Sequence, residues 1–191
     1  LSECINSKAW LLEKPICQSP EELYELIKIS NDMNIWVNHF RRIVPSYKNL
    51  KKNYFKGQKI DISFSGSNIG IGCNVSHLID LVNFLTGEKP NCVDISELSN
   101  QWHDAKRQGF KEVDGTLRLK FSSGSTMSMT SNKDLKKFKM TGKFSNNGKR
   151  FIFDEAKGLF TLEGKKIKFN KLPYQSELTG KIFDQINKYG K

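Results

Sequence analysis

"KAWLLEKPICQSPEELYELIKISNDMNIWVNHF", residues 8–40, sets two short apolar runs on either side of a patterned helix. The first run, "KAWLL" at 8–12, is too short to be a helix and stops on Glu13, Lys14 and Pro15. The middle carries helix start signals: Ser19 as N-cap, Pro20 at the first helical position, and Glu21 and Glu22 in the first turn. "NIWVNHF" is again rich in strand formers. Strand, helix and strand within about 30 residues make a βαβ unit with parallel strands. Parallel strands normally belong to a larger sheet covered on both faces. Seven mostly polar residues precede Lys8 and the chain starts on Leu1, so the expectation is the last piece of a larger sheet in a fragment of a longer protein.

The rest of the chain has a different character. "VPSYKNLKKNY" opens a short helix at Pro45, "QKIDISFSG" reads as a strand, and "NVSHLIDLVNFLTG" as a helix closed by Gly87. From Cys92 onward, short alternating runs are separated by Asp-Gly, Ser-Gly, Asn-Gly, Lys-Gly and Glu-Gly pairs, which predicts an antiparallel meander. "ELTGKIFDQINKYG" closes the chain as an amphipathic helix. The predicted class is α+β: an open, predominantly antiparallel β-sheet with helices on one face, preceded by the βαβ piece.

The net charge is +11, and the excess is almost all Lys; Arg41, Arg42, Arg107, Arg118 and Arg150 are the five arginines. The lysines are spread over "KNLKKNYFKGQK", "KDLKKFKMTGK" and "GKKIKF" rather than gathered in one motif. That spread reads as a solvated surface, or as attraction for an anionic small molecule, and not as a nucleic-acid binder. Cys4, Cys17, Cys73 and Cys92 show neither C-x-x-C nor paired His spacing, so they read as reduced thiols of a cytoplasmic protein rather than a metal site. No stretch approaches the roughly 20 apolar residues that cross a bilayer, so no membrane partner is expected.

The helix beginning near Cys73 holds the chemistry. Val75, Leu78, Ile79, Val82 and Leu85 fill one apolar arc that should pack on the sheet. His77 and Asp80 lie three apart on another face. On spacing alone they are either a cleft-lining pair with a proton acceptor near neutral pH, or a hydrogen-bonded His beside a capping or ion-paired Asp. Lys14, at a strand end, is either a substrate-holding ammonium or part of an ordinary turn. "SGSNIGIG" at 65–72 lacks the G-x-G-x-x-G pattern and reads as a flexible active-site loop rather than a phosphate cradle.

Taken in order, "LLEKPI" followed by "SPEELYELI", then "VNHFRRIVP", then "NVSHLIDLVNFLTGE" resemble the Gfo/Idh/MocA family of oxidoreductases. The likeness covers residues 8 to 90 motif by motif and continues more loosely through "FKEVDGTLRLKFSSG". It implies that residues 1–38 are the C-terminal remnant of a Rossmann nucleotide-binding domain, and that residues 39–191 form a substrate-binding and oligomerisation sheet domain. The implied activity is NAD- or NADP-dependent oxidation of a hydroxyl on a sugar or nucleotide sugar, and "NVSH" tilts the substrate toward surface-polysaccharide sugars. Glu13, Lys14 and Pro15 match the E-K-P beside the nicotinamide, where the Lys-Pro bond is often cis. Arg42, Asn74 and Asp80 are the implied substrate contacts, and Lys14 and His77 the implied catalytic residues, either of which takes the hydroxyl proton. Implied partners are the small-molecule substrate and further copies of the chain through the sheet.

Two departures qualify the match. Many members carry Asp where this chain has Cys73, and no G-x-G-x-x-G follows a strand, so the main dinucleotide motif is missing. The fragment is therefore expected to be inactive by itself, and the alternative is a non-catalytic oligomerisation or sugar-binding module of the same origin.

Overall fold

The computed structural model describes residues 7–31, 33–105, 108–135 and 137–189. The Ser19 hydroxyl accepts the Glu22 N–H at 3.1 Å, while the Glu22 carboxylate reaches back to the Gln18 N–H at 2.8 Å. This reciprocal cap starts helix α1 (Pro20–Ile29) between strands β1 (Trp10–Leu12) and β2 (Ile35–Val37). β1 and β2 pair in parallel with Leu11 opposite Trp36, as the sequence predicts. A 3₁₀ turn follows at Phe40–Ile43, then helix α2 (Pro45–Leu50) and a π-helical turn at Lys51–Phe55. Next come β3 (Ile60–Gly66), helix α3 (Ile71–Thr86), β4 (Pro90–Asp104) and β5 (Lys111–Phe121). The chain ends with β6 (Thr126–Ser131), β7 (Lys139–Phe144), β8 (Arg150–Asp154), β9 (Leu159–Leu162), β10 (Lys165–Lys168) and helix α4 (Gln175–Tyr189).

Two compact units result: Leu1–Ile43 with Tyr174–Lys191, and Val44–Pro173. In the first, α4 buries Leu178, Ile182 and Ile186, a stripe at four-residue spacing. α1 buries none of its residues, and Leu23, Tyr24, Ile27 and Ile29 are 42–61% exposed.

The second unit is an eight-stranded sheet in the order β10-β9-β8-β7-β3-β6-β5-β4. Its β3–β6 pair is parallel and the remaining pairs are antiparallel, so the predicted class holds. The simple meander does not. β3 inserts between β6 and β7, because its Ile60, Ile62 and Phe64 complete an apolar face with Met127, Met129 and Met140. The predicted Asp114-Gly115 turn is also corrected: Gly115 lies inside β5. There φ is +115°, and a Cβ would stand 2.3 Å from the Glu97 carbonyl oxygen, so glycine permits a bulge where β4 presses close.

Alternation puts Leu117, Leu119, Met127, Met129, Met140, Phe151, Phe153 and Phe160 on the buried face. Phe55, fully buried, seats its ring 5.1 Å from Phe144 and 5.2 Å from Phe151, which locks the π-helical turn to the sheet. α3 covers β5 and β6 with Ile71, Leu78, Leu81, Val82 and Leu85. Leu81 thus belongs to the buried stripe, whereas Val75 and Ile79, expected there, are half-buried at its edge.

After α3, Gly87 ends the helix and the buried Glu88 carboxylate accepts from Ser123 N–H, Ser125 N–H and Ser125 Oγ at 2.6–3.1 Å. That fastens the helix C-terminus to the β5–β6 hairpin. Among the described residues, Cys17, Cys73 and Cys92 form no disulfide. Cys4 and Arg107 lie outside the described residues. Among the described residues, no helix is long and apolar enough to cross a membrane.

Candidate functional site

In the first unit, the main chain at the C-terminal end of β1 is tied to the segment after β2 by the Asn38 N–H, which donates to the Leu12 carbonyl at 2.9 Å. The Asn38 amide also donates to the Glu13 carboxylate at 2.5 Å. Lys14 follows, half-buried, and its peptide bond to Pro15 is cis. Arg42 is exposed and borders a small cavity of about 80 Å³ between β2, the 3₁₀ turn and α4. Glu13, Lys14, Pro15 and Arg42 therefore share the first unit, and Asn74, His77 and Asp80 share the second.

On α3, Cys73, His77, Asp80 and Phe84 recur at i, i+4, i+7 and i+11, forming a half-buried stripe roughly a third of a turn around the axis from the buried one. The stripe ends where Lys51 Nζ sits 4.5 Å over the Phe84 ring. Asn74 is turned toward the helix start, where its amide donates to the Ile69 carbonyl.

That helix start is set by a group the sequence reading missed. Glu112, buried on β5, accepts the Gly72 N–H at 2.9 Å and the Cys73 N–H at 3.0 Å. Its carboxylate fills the place that a bound anion takes at a free helix N-terminus. Gly70 makes room: its φ is +67°, and a Cβ there would lie 2.8 Å from Glu112 Oε1. The glycine-rich stretch is thus a seat for the chain's own carboxylate. A dinucleotide pyrophosphate does not fit there, since it would face Glu112.

Beside this point opens a cavity of about 340 Å³, bordered by Asn68, Cys73, Asn74, His103, Asp104 and Glu112. His103 Nε2 lies 3.8 Å from Asp114 Oδ2, and Asp114 Oδ1 accepts the Ser131 hydroxyl at 2.7 Å. Lys111 donates to Asp104 at 2.6 Å and so holds its carboxyl below the usual aspartate range. His103, Glu112, Asp114 and Ser131 escaped the sequence reading because strands β4 to β6 bring them together from separate runs. Glu112 gave no local signal, since it falls in the polar phase of the strand with Asp114, Thr116, Arg118 and Lys120. Among the described residues, no group of three or more His, Cys, Asp or Glu side chains is placed to hold a metal ion.

Neither a described family nor a curated protein matches the chain. Solved structures do. A dehydrogenase (MviM) from Clostridium difficile is 18% identical with a TM-score of 0.56, over 94% of this chain and 60% of that one. The UDP-N-acetylglucosamine 3-dehydrogenase GnnA from Acidithiobacillus ferrooxidans is 17% identical with a TM-score of 0.57, over 93% and 60%. A dehydrogenase from Chromobacterium violaceum is 19% identical with a TM-score of 0.62, over 93% and 61%. The chain has the fold of these dehydrogenases. It spans about three fifths of their length.

The capping role of Glu112 gives a direct expectation. Glu112→Ala leaves two helix N–H groups without their acceptor and should lower unfolding free energy by about 1–3 kcal/mol, read from the urea midpoint. Glu112→Gln, which keeps one acceptor oxygen, should lose less; equal stability of all three proteins would remove the cap from the account.

Proposed function

We propose that the chain is the substrate-side part of a Gfo/Idh/MocA-type oxidoreductase that acts on a hydroxyl of a sugar or nucleotide sugar with NAD or NADP. The observation that carries this reading is the dehydrogenase fold running through nearly the whole chain, with the E-K-P segment closing β1 and the H-x-x-D pair on α3. The cofactor, when bound, supplies the hydride acceptor. In this reading His77 or Lys14 takes the hydroxyl proton, and Arg42, Asn74 and Asp80 are the substrate contacts. The Asn38–Glu13 hydrogen bond steadies the segment that presents Lys14.

The first unit supports a larger nucleotide-binding domain, with residues 1–38 its C-terminal remnant and residues 39–191 the sheet domain. A two-stranded parallel sheet is short of partners, and α1 exposes an apolar face that further strands would cover. The place of the protein is then the cytoplasm, where cysteines such as Cys17 and Cys92 stay reduced. Cys73, standing where a carboxylate would orient the imidazole, favours a second reading: a non-catalytic sugar-binding or oligomerisation module.

Mutation separates the two. In a longer form of the protein carrying a dinucleotide-binding half, His77→Ala and Lys14→Ala should each lower kcat by about 10²- to 10⁴-fold with unchanged melting. Wild-type rates in both variants would overturn the enzymatic reading. The 191-residue chain alone should show no heat of binding with NADH or NADPH in a calorimetric titration, and micromolar affinity would contradict the missing seat. Association through the sheet would use its outer face, where Ser128 Oγ donates to Ser63 Oγ at 2.9 Å. Sedimentation equilibrium should find a dimer or larger, weakened by Ser128→Arg; a monomer at all concentrations would end that part.

A further inference from the structure

One end of the eight-stranded sheet, opposite the start of α3, collects cations that the sequence scatters. β3, β4, β6, β8 and β10 begin at this end, and β5, β7 and β9 finish there. Lys59 precedes β3, Lys89 precedes β4, Lys149 closes the β7–β8 turn, Arg150 opens β8 and Lys165 opens β10. All are exposed and all lie in the second unit. In the strand order they form a row, from Lys165 through Arg150, Lys149 and Lys59 to Lys89. At about 4.8 Å per strand, the row crosses about 34 Å, the full width of the sheet. Backbone bonds fix its register: the carbonyls of Lys59, Lys149 and Lys89 accept the N–H groups of Ser145, Phe144 and Ser122 at 2.8, 2.9 and 2.9 Å.

Little acid answers this row. Among the described residues, none of its side chains makes an ion pair. The Glu88 carboxylate is buried and engaged by Ser123 and Ser125, and Asp61 accepts from Thr126 and lies 3.7 Å from Lys143. Glu163, exposed, accepts the Arg150 N–H at 2.5 Å. At the other end of the sheet the lysines are answered, Lys111 by Asp104 at 2.6 Å and Lys157 by Asp154 at 3.1 Å. The turns between the cations, residues 122–125, 145–149 and 163–164, read S-S-G-S, S-N-N-G-K and E-G, with no apolar side chain. They supply no ring to stack a base on, no wedge to enter a bilayer and no apolar centre for a protein interface. The N–H groups of the β5–β6 hairpin are engaged as well: Ser122 donates to Lys89, Gly124 to Phe121, and Ser123 and Ser125 to Glu88. A single phosphate therefore has no backbone cradle there. The row presents spaced charge alone, which matches a flexible chain that carries many anions.

We propose that this end of the sheet binds a linear chain of phosphate groups without bases or lipid tails, of the chemical class of inorganic polyphosphate, laid across the strand ends with Lys59, Lys149 and Arg150 at its centre. The surface is independent of the oxidoreductase reading, and either stands without the other.

The experiment titrates end-labelled, long-chain inorganic polyphosphate with the 191-residue chain and reads fluorescence anisotropy at several salt concentrations. Binding should saturate, with a log–log salt slope of about −3 to −4 for contacts to the whole row. The triple variant Lys59→Ala, Lys149→Ala, Arg150→Ala should bind at least about tenfold more weakly, with the slope reduced to about −1 to −2. A control triple variant, Lys28→Ala, Lys157→Ala, Lys188→Ala, removes the same charge elsewhere and should keep most of the affinity. No saturable binding overturns the proposal. So does an equal loss in the two triple variants, which reduces the effect to net charge. Inorganic triphosphate that binds as tightly as the long chain means a single-anion site, and it also overturns the row. Polyuridylate of matched phosphate number, polyglutamate of matched charge and equimolar phosphatidylserine–phosphatidylcholine vesicles should each bind more weakly. Preference for any of them gives the surface to that partner and overturns the assignment. Should the first variant fail to fold, amide resonances of the unaltered chain decide: polyphosphate should shift Ser122, Ser123, Asn147 and Gly164, and shifts confined to other residues overturn the site.

Discussion

A buried carboxylate on a strand holds the start of the central helix of the sheet domain. Glu112 accepts two N–H groups from the first turn of α3, and Gly70 and Gly72 admit it at close range. Those N–H groups have no partner inside the helix, and burial without one would cost more than most single contacts return. A second carboxylate, Glu88, secures the far end through the β5–β6 hairpin. Between the two, α3 has one rotational setting. That setting aims Leu78, Leu81, Val82 and Leu85 at the sheet and leaves Cys73, His77, Asp80 and Phe84 as a separate stripe.

The sheet answers to the same geometry. β3 enters between β6 and β7 and delivers the chain to α3 beside the strand that carries Glu112's neighbours. Such a crossover is longer-range than a hairpin, and it is stabilised by the apolar layer of Ile62, Phe64, Met127, Met129 and Met140. At the other end, the ring cluster around Phe55 ties the turn after α2 to β7, β8 and β9. The cavity beside Glu112 exists because β4 runs on to Asp104, past the point where α3 begins to cover the sheet. Its long edge strand keeps nearly every side chain exposed, Val93, Ile95 and Trp102 among them.

The candidate site was legible in part. His77 and Asp80 announced themselves by helical spacing, and Lys14 by standing where an apolar run stops. Both signals are local. His103 and Asp114 gave no such signal: they lie on neighbouring strands, and a bulge at Gly115 sets which side chains meet. The glycine-rich stretch reads in sequence as an active-site loop rather than a phosphate cradle; that it seats a carboxylate forty residues on depends on the strand beside it, and composition carries no such address.

The sequence alone determined the α+β class, the cap of α1, the parallel pairing of β1 with β2, and the helix that bears His77. Each follows from interactions within a turn of helix or a strand's alternation, where the partners are near in the chain. Only the tertiary structure decided the place of β3, the membership of Leu81 in the core, the seat of Glu112 and the cavity beside it. Those depend on which strands lie side by side. Many strand orders satisfy the same alternation, and the choice among them is made by the summed packing of a whole layer rather than by any one residue.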